Sequence, residues 1–511
     1  MLTALIAIPA LGAVLLAFLP KGKDELAKLT ALGVTLVVAV LTVVMAIRFD
    51  NGGPRFQFTE QHWWIRQFHV HYAVGVDGVA LVLVLLSAIL VPLVVLASWN
   101  DAERSGGVDE PPKRSVKTYF ALLLALEAMM IGVFAATDIF LFYVFFEAML
   151  IPMYFIIGSY GGAQRSYAAV KFLLYSLFGG LLMLAAVIGL YVVSANAGNG
   201  TFLFGELTRL HIEPTTAKWL FLGFFVAFAI KAPLVPFHTW LPDAAGQAPA
   251  GAAVLLVGVL DKVGTYGMLR FCIELFPGAA KWFTPVVLTL SVIGIVYGAV
   301  LAIGQIDLKR LIAYTSISHF GFITLGIFAM TTQGQTGATL YMVNHGFSTG
   351  ALFLVAGFLI ARRGSARIDA FGGVKNVAPI LAGTFLVAGL SGLSLPGLST
   401  FVSEFLVLVG TFTRYKVPAI IATTGIILAA VYILWMYQRT MTGPTAEKVR
   451  GMADLSKREV AVIAPVLALL VVLGFYPKPA LDMINPSVKQ TMVRVDQHDP
   501  KPTIAEKGTR P

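Results

Sequence analysis

A single cysteine, Cys272, stands in 511 residues, so no internal disulfide framework can form. No Cys/His spacing offers a zinc or iron–sulfur site, and no nucleotide or flavin motif is present. Charge is scarce as well. Only 13% of the residues are Asp, Glu, Lys or Arg, about half of what a soluble domain carries. That shortage excludes a soluble globular chain, and apolar residues fill the space: 58% of the sequence, with a mean hydropathy of +0.82. The net charge is +10, yet no aromatic–basic surface motif accompanies it, so nucleic acid is not the expected partner. Basic loops on one side of a membrane account for the excess. The opening stretch from Met1 to Leu19 has neither a basic start nor a small-residue cleavage site, which makes it a first span rather than a signal peptide.

A helix needs about 20 apolar residues to cross a bilayer. Such stretches begin near residues 1, 26, 76, 117, 138, 167, 218, 249, 283, 310, 337, 377, 417 and 459. They predict an all-α polytopic membrane protein of about fourteen transmembrane helices. The region 377–414 is longer than one span and breaks at Pro396-Gly397, so it reads as one interrupted helix. Alternating from an outside amino terminus puts about 20 Lys and Arg in inside loops, among them Lys113, Arg114, Arg165 and Arg310, against about 10 outside and about 5 in the tail. Both termini are therefore expected outside a multi-pass chain in the lipid bilayer of the cell inner (plasma) membrane. The expected divisions are three N-terminal helices with their loops in 1–115, five-helix units in 116–276 and 277–440, a last helix in 441–477, and a loosely structured tail in 478–511.

Ionisable residues inside spans cost roughly 2.5–3.5 kcal/mol each at the bilayer centre. Here there are several: Glu127, Glu147, Lys231, Asp261, Lys262 and Glu404, with His238, His319 and His345 beside them. Glu127 lies 11 residues before the turn at Asp138 and Glu147 nine after it, so each sits roughly 15 Å from that turn, near mid-membrane. The same counting places Lys231 and Lys262 somewhat past the middle and His319 and His345 near it. Burial disfavours the charged form of either residue type, and a nearby opposite charge restores it. A lysine whose carboxylate partner comes and goes is thus a proton acceptor that can be switched. Static ion pairs between helices are the bland alternative, but apolar replacements usually serve stability as well. Prolines sharpen the pattern. Lys231 is followed by Pro233 and Pro236, and Glu404 follows Leu395-Pro396-Gly397; each proline must open its helix. The breaks fall in the seventh and twelfth helices. Five helices apart, an odd number, they fit two inverted five-helix repeats with discontinuous helices, a transporter pattern.

Four segments carry a resemblance. Phe145-Phe146-Glu147-Ala148 through Phe155, Lys231-Ala232-Pro233 through Phe237-His238-Thr239-Trp240-Leu241-Pro242-Asp243-Ala244, and Ser316-Ile317-Ser318-His319 resemble the antiporter-like subunits of respiratory complex I, as does Asn344-His345-Gly346-Phe347 through Leu352. The likeness covers nearly the whole chain, thins over the first ~115 residues and stops at the tail. Most members have lysine on the interrupted twelfth helix; Phe401-Val402-Ser403-Glu404-Phe405 resembles the branch with glutamate there. The resemblance implies a proton-translocating membrane-arm subunit of an NADH:quinone oxidoreductase. The redox chemistry would sit on other subunits, with no cofactor or metal on this chain. Glu147 would pair with Lys231, Lys262 would be the central relay and Glu404 the exit-side group, with His238, His319 and His345 joining them through water. Glu127 and Asp261 are further candidates. Two departures from the family pattern stand out: Ala245 where a histidine is usual, and Asp261 where an apolar residue is usual. The implied partners are neighbouring antiporter-like membrane subunits of complex I.

Two other readings compete. A multisubunit cation/proton antiporter shares nearly every motif, although Glu404 argues against it. A haem-binding membrane redox protein would use His319 and His345 as ligands, but the sequence offers no second matched pair.

Overall fold

The computed structural model describes residues 1–104 and 114–500; Lys113 of the expected inside loop and the end of the tail from 501 lie outside the described residues. The chain is helical almost throughout. Among the described residues, eleven helical segments are long and apolar enough to cross a membrane, or twelve if the pair Ile368–Asn376 and Pro379–Gly392, bent by 115°, counts as one. Other expected spans are shorter pieces: Leu2–Phe18 at 17 residues, Pro214–Lys231 ending at a break, and Ser399–Arg414 at 16.

Burial sorts the helices into an inner group and an outer ring. Ala250–Ile273 is buried along its whole length, and Leu308–Phe328 and Thr332–Arg363 nearly so. Asp24–Ile47, Arg165–Asn196, Lys416–Met441 and Lys457–Phe475 are mostly exposed despite their apolar sequences, with Leu174, Leu181, Ile420 and Val472 facing outward. An apolar exterior wrapped around a polar-studded interior is a lipid-facing surface. Helix starts are set by side chains that accept hydrogen bonds from free backbone N–H groups. Asp77, Asp138, Asp307 and Thr331 do so, and Ser456 forms a reciprocal capping box with Glu459.

Three features depart from the sequence reading. Residues Gln57–Ile65 and Val70–Val76 form an antiparallel hairpin, the one sheet among the described residues. The tail expected to be loose instead begins with a helix, Lys478–Arg494. Ile484, Val488 and Met492, four residues apart, are buried on one side of it, and a stripe of that spacing is what docks a helix. A buried ionic cluster holds it in place. Glu274 accepts two bonds from Arg55, at 2.8 and 2.6 Å, and one from Thr491 at 2.9 Å. Arg270 reaches Asp77 at 2.6 Å. Arg270 lies within the span Ala250–Ile273, a buried basic residue beyond the Lys231 and Lys262 that the sequence reading singled out.

Candidate functional site

Both proline-bearing breaks are present. The helix Pro214–Lys231 stops at the lysine, and the next begins at Trp240. Across the gap, the Trp240 indole N–H donates to the Ile230 carbonyl at 2.9 Å, satisfying one acceptor that the break releases. The second break separates Pro379–Gly392 from Ser399–Arg414, with Ser394 and Gly397 turned at φ +59° and +93°.

Lys231 thus ends its helix buried at 1% exposure. Its ammonium has no hydrogen-bond partner and lies 5.5 Å from the ring centres of both Phe146 and Phe172, a cation–π setting. The carboxylates of Asp261 and Glu147 both act on it electrostatically. Glu147 comes from Ile139–Ala148 and reaches the helix Arg165–Asn196 at Gly180, where a Cβ would lie 1.7 Å from Glu147 Oε1. Only glycine leaves room for that carboxylate.

The wholly buried helix Ala250–Ile273 carries Lys262 and is widened into π-helical turns at Leu256–Leu260 and Met268–Ile273, a distortion frequent at functional sites. Lys262 Nζ donates to the Val257 carbonyl at 2.5 Å and stands 2.6 Å from His345 Nδ1. His345 lies on Thr332–Arg363, which crosses so closely that a Cβ on Gly346 would sit 2.9 Å from the Gly258 carbonyl. From His345 the polar groups continue. His319 meets it edge to face with ring centres 5.1 Å apart, and Tyr341 follows at 5.8 Å from His319. The Tyr341 hydroxyl donates to Glu404 Oε2 at 2.9 Å, and Ser394 at the second break donates to the same oxygen. Asn344 ties its helix to the start of Ser399–Arg414 by donating to the Ser399 carbonyl at 2.6 Å.

Two expected residues stand apart from this line. His238 is buried beside Tyr297, with ring centres 5.4 Å apart, and the charge that acts on it is Lys171. Lys171 and Arg310 both bind Asp243, at 2.7 and 2.5 Å. Burial pushes the Asp243 carboxyl up, but those hydrogen bonds outweigh it and hold it below the usual carboxylate range. Glu127 is fully buried, and neither of its carboxylate oxygens has a hydrogen-bond partner among the described residues. Sequence reasoning missed Tyr341, Ser394 and Asn344. Tyr341 was within reach of it, lying one helical turn before His345 on the same face.

A polytopic membrane protein whose buried core holds a connected series of titratable side chains falls in the class of ion-translocating membrane proteins. Within that class, the chain belongs to the NADH:quinone oxidoreductase/Mrp antiporter transmembrane family, which matches residues 136–429. It is 54% identical to NADH-quinone oxidoreductase subunit M of Mycobacterium tuberculosis, over 99% of this chain and 96% of that one. NADH-ubiquinone oxidoreductase chain 4 of Arabidopsis thaliana is 38% identical over 95% and 96%. A chain of respiratory complex I from Thermus thermophilus superposes with a TM-score of 0.87 at 32% identity, covering 97% of this chain and 100% of that one. The Mrp complex from Dietzia shares the fold at a TM-score of 0.83 and 20% identity, over 97% and 98%.

Proposed function

We propose that this chain is the proton-translocating membrane-arm subunit M of an NADH-quinone oxidoreductase. It moves protons while the redox chemistry proceeds on other subunits, and neighbouring antiporter-like membrane subunits are its partners. The observation that carries this reading is the row of buried groups Lys262, His345, His319, Tyr341 and Glu404, hydrogen-bonded at its two ends and in ring contact between them, together with Lys231, on which two carboxylates act. Lys231 takes up a proton when Glu147 is charged and close, because opposite charge favours the ammonium, and releases it when that attraction is lost. The proton moves to Lys262 and, through the His345 imidazole nitrogen already 2.6 Å away, along His319 and Tyr341 to Glu404. Short water chains bridge the wider gaps. Each charge moved is worth about 2.3 kcal/mol per 100 mV, so the path has to be gated. The free Lys231 ammonium is the natural gate.

In this reading both termini face outside the inner membrane, and the spans number about fourteen. Residues 116–276 and 277–440 are inverted repeats, each contributing one broken helix. The full assembly, isolated in mild detergent, tests the assignment. NADH-oxidising and quinone-reducing subunits are expected to co-purify; a complex made only of cation/proton antiporter subunits would overturn it.

A further inference from the structure

Asp261 and Lys262 are neighbours, and adjacent residues in a helix point about 100° apart. Lys262 turns toward Thr332–Arg363, where it meets His345. Asp261 shares its helix face with Gly264, one turn on. Gly264 in turn packs on the broken end of Pro214–Lys231, where an added Cβ would come within 2.6 Å of both the Phe228 carbonyl and the Ala232 nitrogen. The face bearing Asp261 therefore looks toward Lys231. From there Asp261 acts electrostatically on both Lys231 and Lys262. Both Asp261 oxygens are buried, and neither has a hydrogen-bond partner.

In a static ion pair the carboxylate would accept bonds from the ammonium that it neutralises. Here the Lys262 ammonium is held at Val257 and His345 instead, and Lys231 bonds to nothing. A buried carboxylate with no partner costs free energy and does not serve stability. Its place between two lysines that face different helices is what a transfer step requires.

We propose that Asp261 carries the proton from Lys231 to Lys262, a role that rests on the proton-translocating reading above. The Lys231 ammonium gives a proton to the Asp261 carboxylate, leaving an amine and a carboxylic acid. The acid then protonates the Lys262 amine and is a carboxylate again. Only N–H and O–H bonds break and form, one proton moves in total, and no oxidant or reductant takes part. Rotation of the short Asp261 side chain, or one bridging water, covers the distance.

Membrane vesicles containing the assembled complex test this with Asp261→Asn, Asp261→Glu and, in parallel, Glu404→Gln. Asn cannot carry a proton, so NADH-driven pumping should fall at least about tenfold, while Glu keeps a substantial part of it. Infrared difference spectra between resting and turning-over complex should contain a carboxylic-acid band that Asn removes and Glu shifts. Parental pumping in Asp261→Asn, or equal loss in Asn and Glu with the band unchanged, overturns the proposal. Should Asn prevent assembly, the band decides: a shift in Asp261→Glu supports the role and an unshifted band refutes it. If Glu404→Gln alone fails to pump while Asp261→Asn pumps, only this step is wrong. If both pump normally, the proton-translocating reading falls with it.

Discussion

Gly180→Ala is a substitution that reads the position of one carboxylate. The added methyl carbon would stand 1.7 Å from Glu147 Oε1, whereas ordinary contact begins at 3.4 Å. The carboxylate has to retreat by most of that difference. Glu147 is a flexible side chain and can do so without unfolding anything. The host helix gains, since alanine is favoured over glycine by up to about 1 kcal/mol in a helix interior. Assembly and thermal stability should therefore match the parent. Function should not, because a displacement of about 1 Å at a reacting group can cost on the order of a hundredfold. The assay is NADH-driven acidification by vesicles, normalised to assembled complex, with Glu147→Gln beside it. Gly180→Ala is expected to approach the Gln variant. Parental pumping with normal assembly would refute the idea that Glu147 acts from its place against Gly180.

Other outcomes follow from the same geometry. Tyr341→Phe removes the 2.9 Å bond to Glu404 but leaves Ser394 as a donor, so pumping should slow several-fold, roughly 1–2 kcal/mol in barrier terms, with assembly intact; an unchanged rate would take Tyr341 out of the line. Arg270→Leu removes the guanidinium 2.6 Å from the fully buried Asp77 and leaves that carboxylate only Arg55, at 3.5 Å, and the Ala80 N–H. It should cost about 3–5 kcal/mol, seen as a lower thermal inactivation temperature, and Asp77→Asn in the same chain should recover part of it; an unaltered inactivation temperature would contradict that. The Asp243 cluster has a defined pH sign. Its folded-state carboxyl lies below the usual range, so its stabilisation is present above the ordinary carboxylate pKa and is lost as pH falls through the folded value. The stability gap between parent and Asp243→Asn should accordingly close on acidification, and a gap that widened would show the sign to be wrong.

Lys231, Lys262 and Glu404 were legible in the sequence because charge inside an apolar run is conspicuous and proline announces a break. Pairing across the bundle was not legible in that way. Lys262 and His345 are 83 residues apart, and nothing in either segment specifies that Gly258 and Gly346 bring their helices into contact. The π-helical turns beside Lys262 leave no compositional trace. Lys478–Arg494 escaped because Pro479 and Pro486 mask its four-residue apolar spacing. The hairpin over Gln57–Val76 escaped because its mixed polar sequence reads as loop against so apolar a background.

Glu404→Gln tests the central claim most directly. Gln is nearly isosteric, and its amide oxygen can still accept from Tyr341 and Ser394, but it cannot ionise. The measurement is proton pumping per NADH oxidised, in proteoliposomes holding the purified, fully assembled complex. If buried charges of this chain carry protons, the variant complex assembles and its pumping collapses, while Glu404→Lys, which restores an ionisable group, recovers part of it. Pumping by Glu404→Gln equal to the parent would mean that Glu404 only packs, and that the protons travel elsewhere.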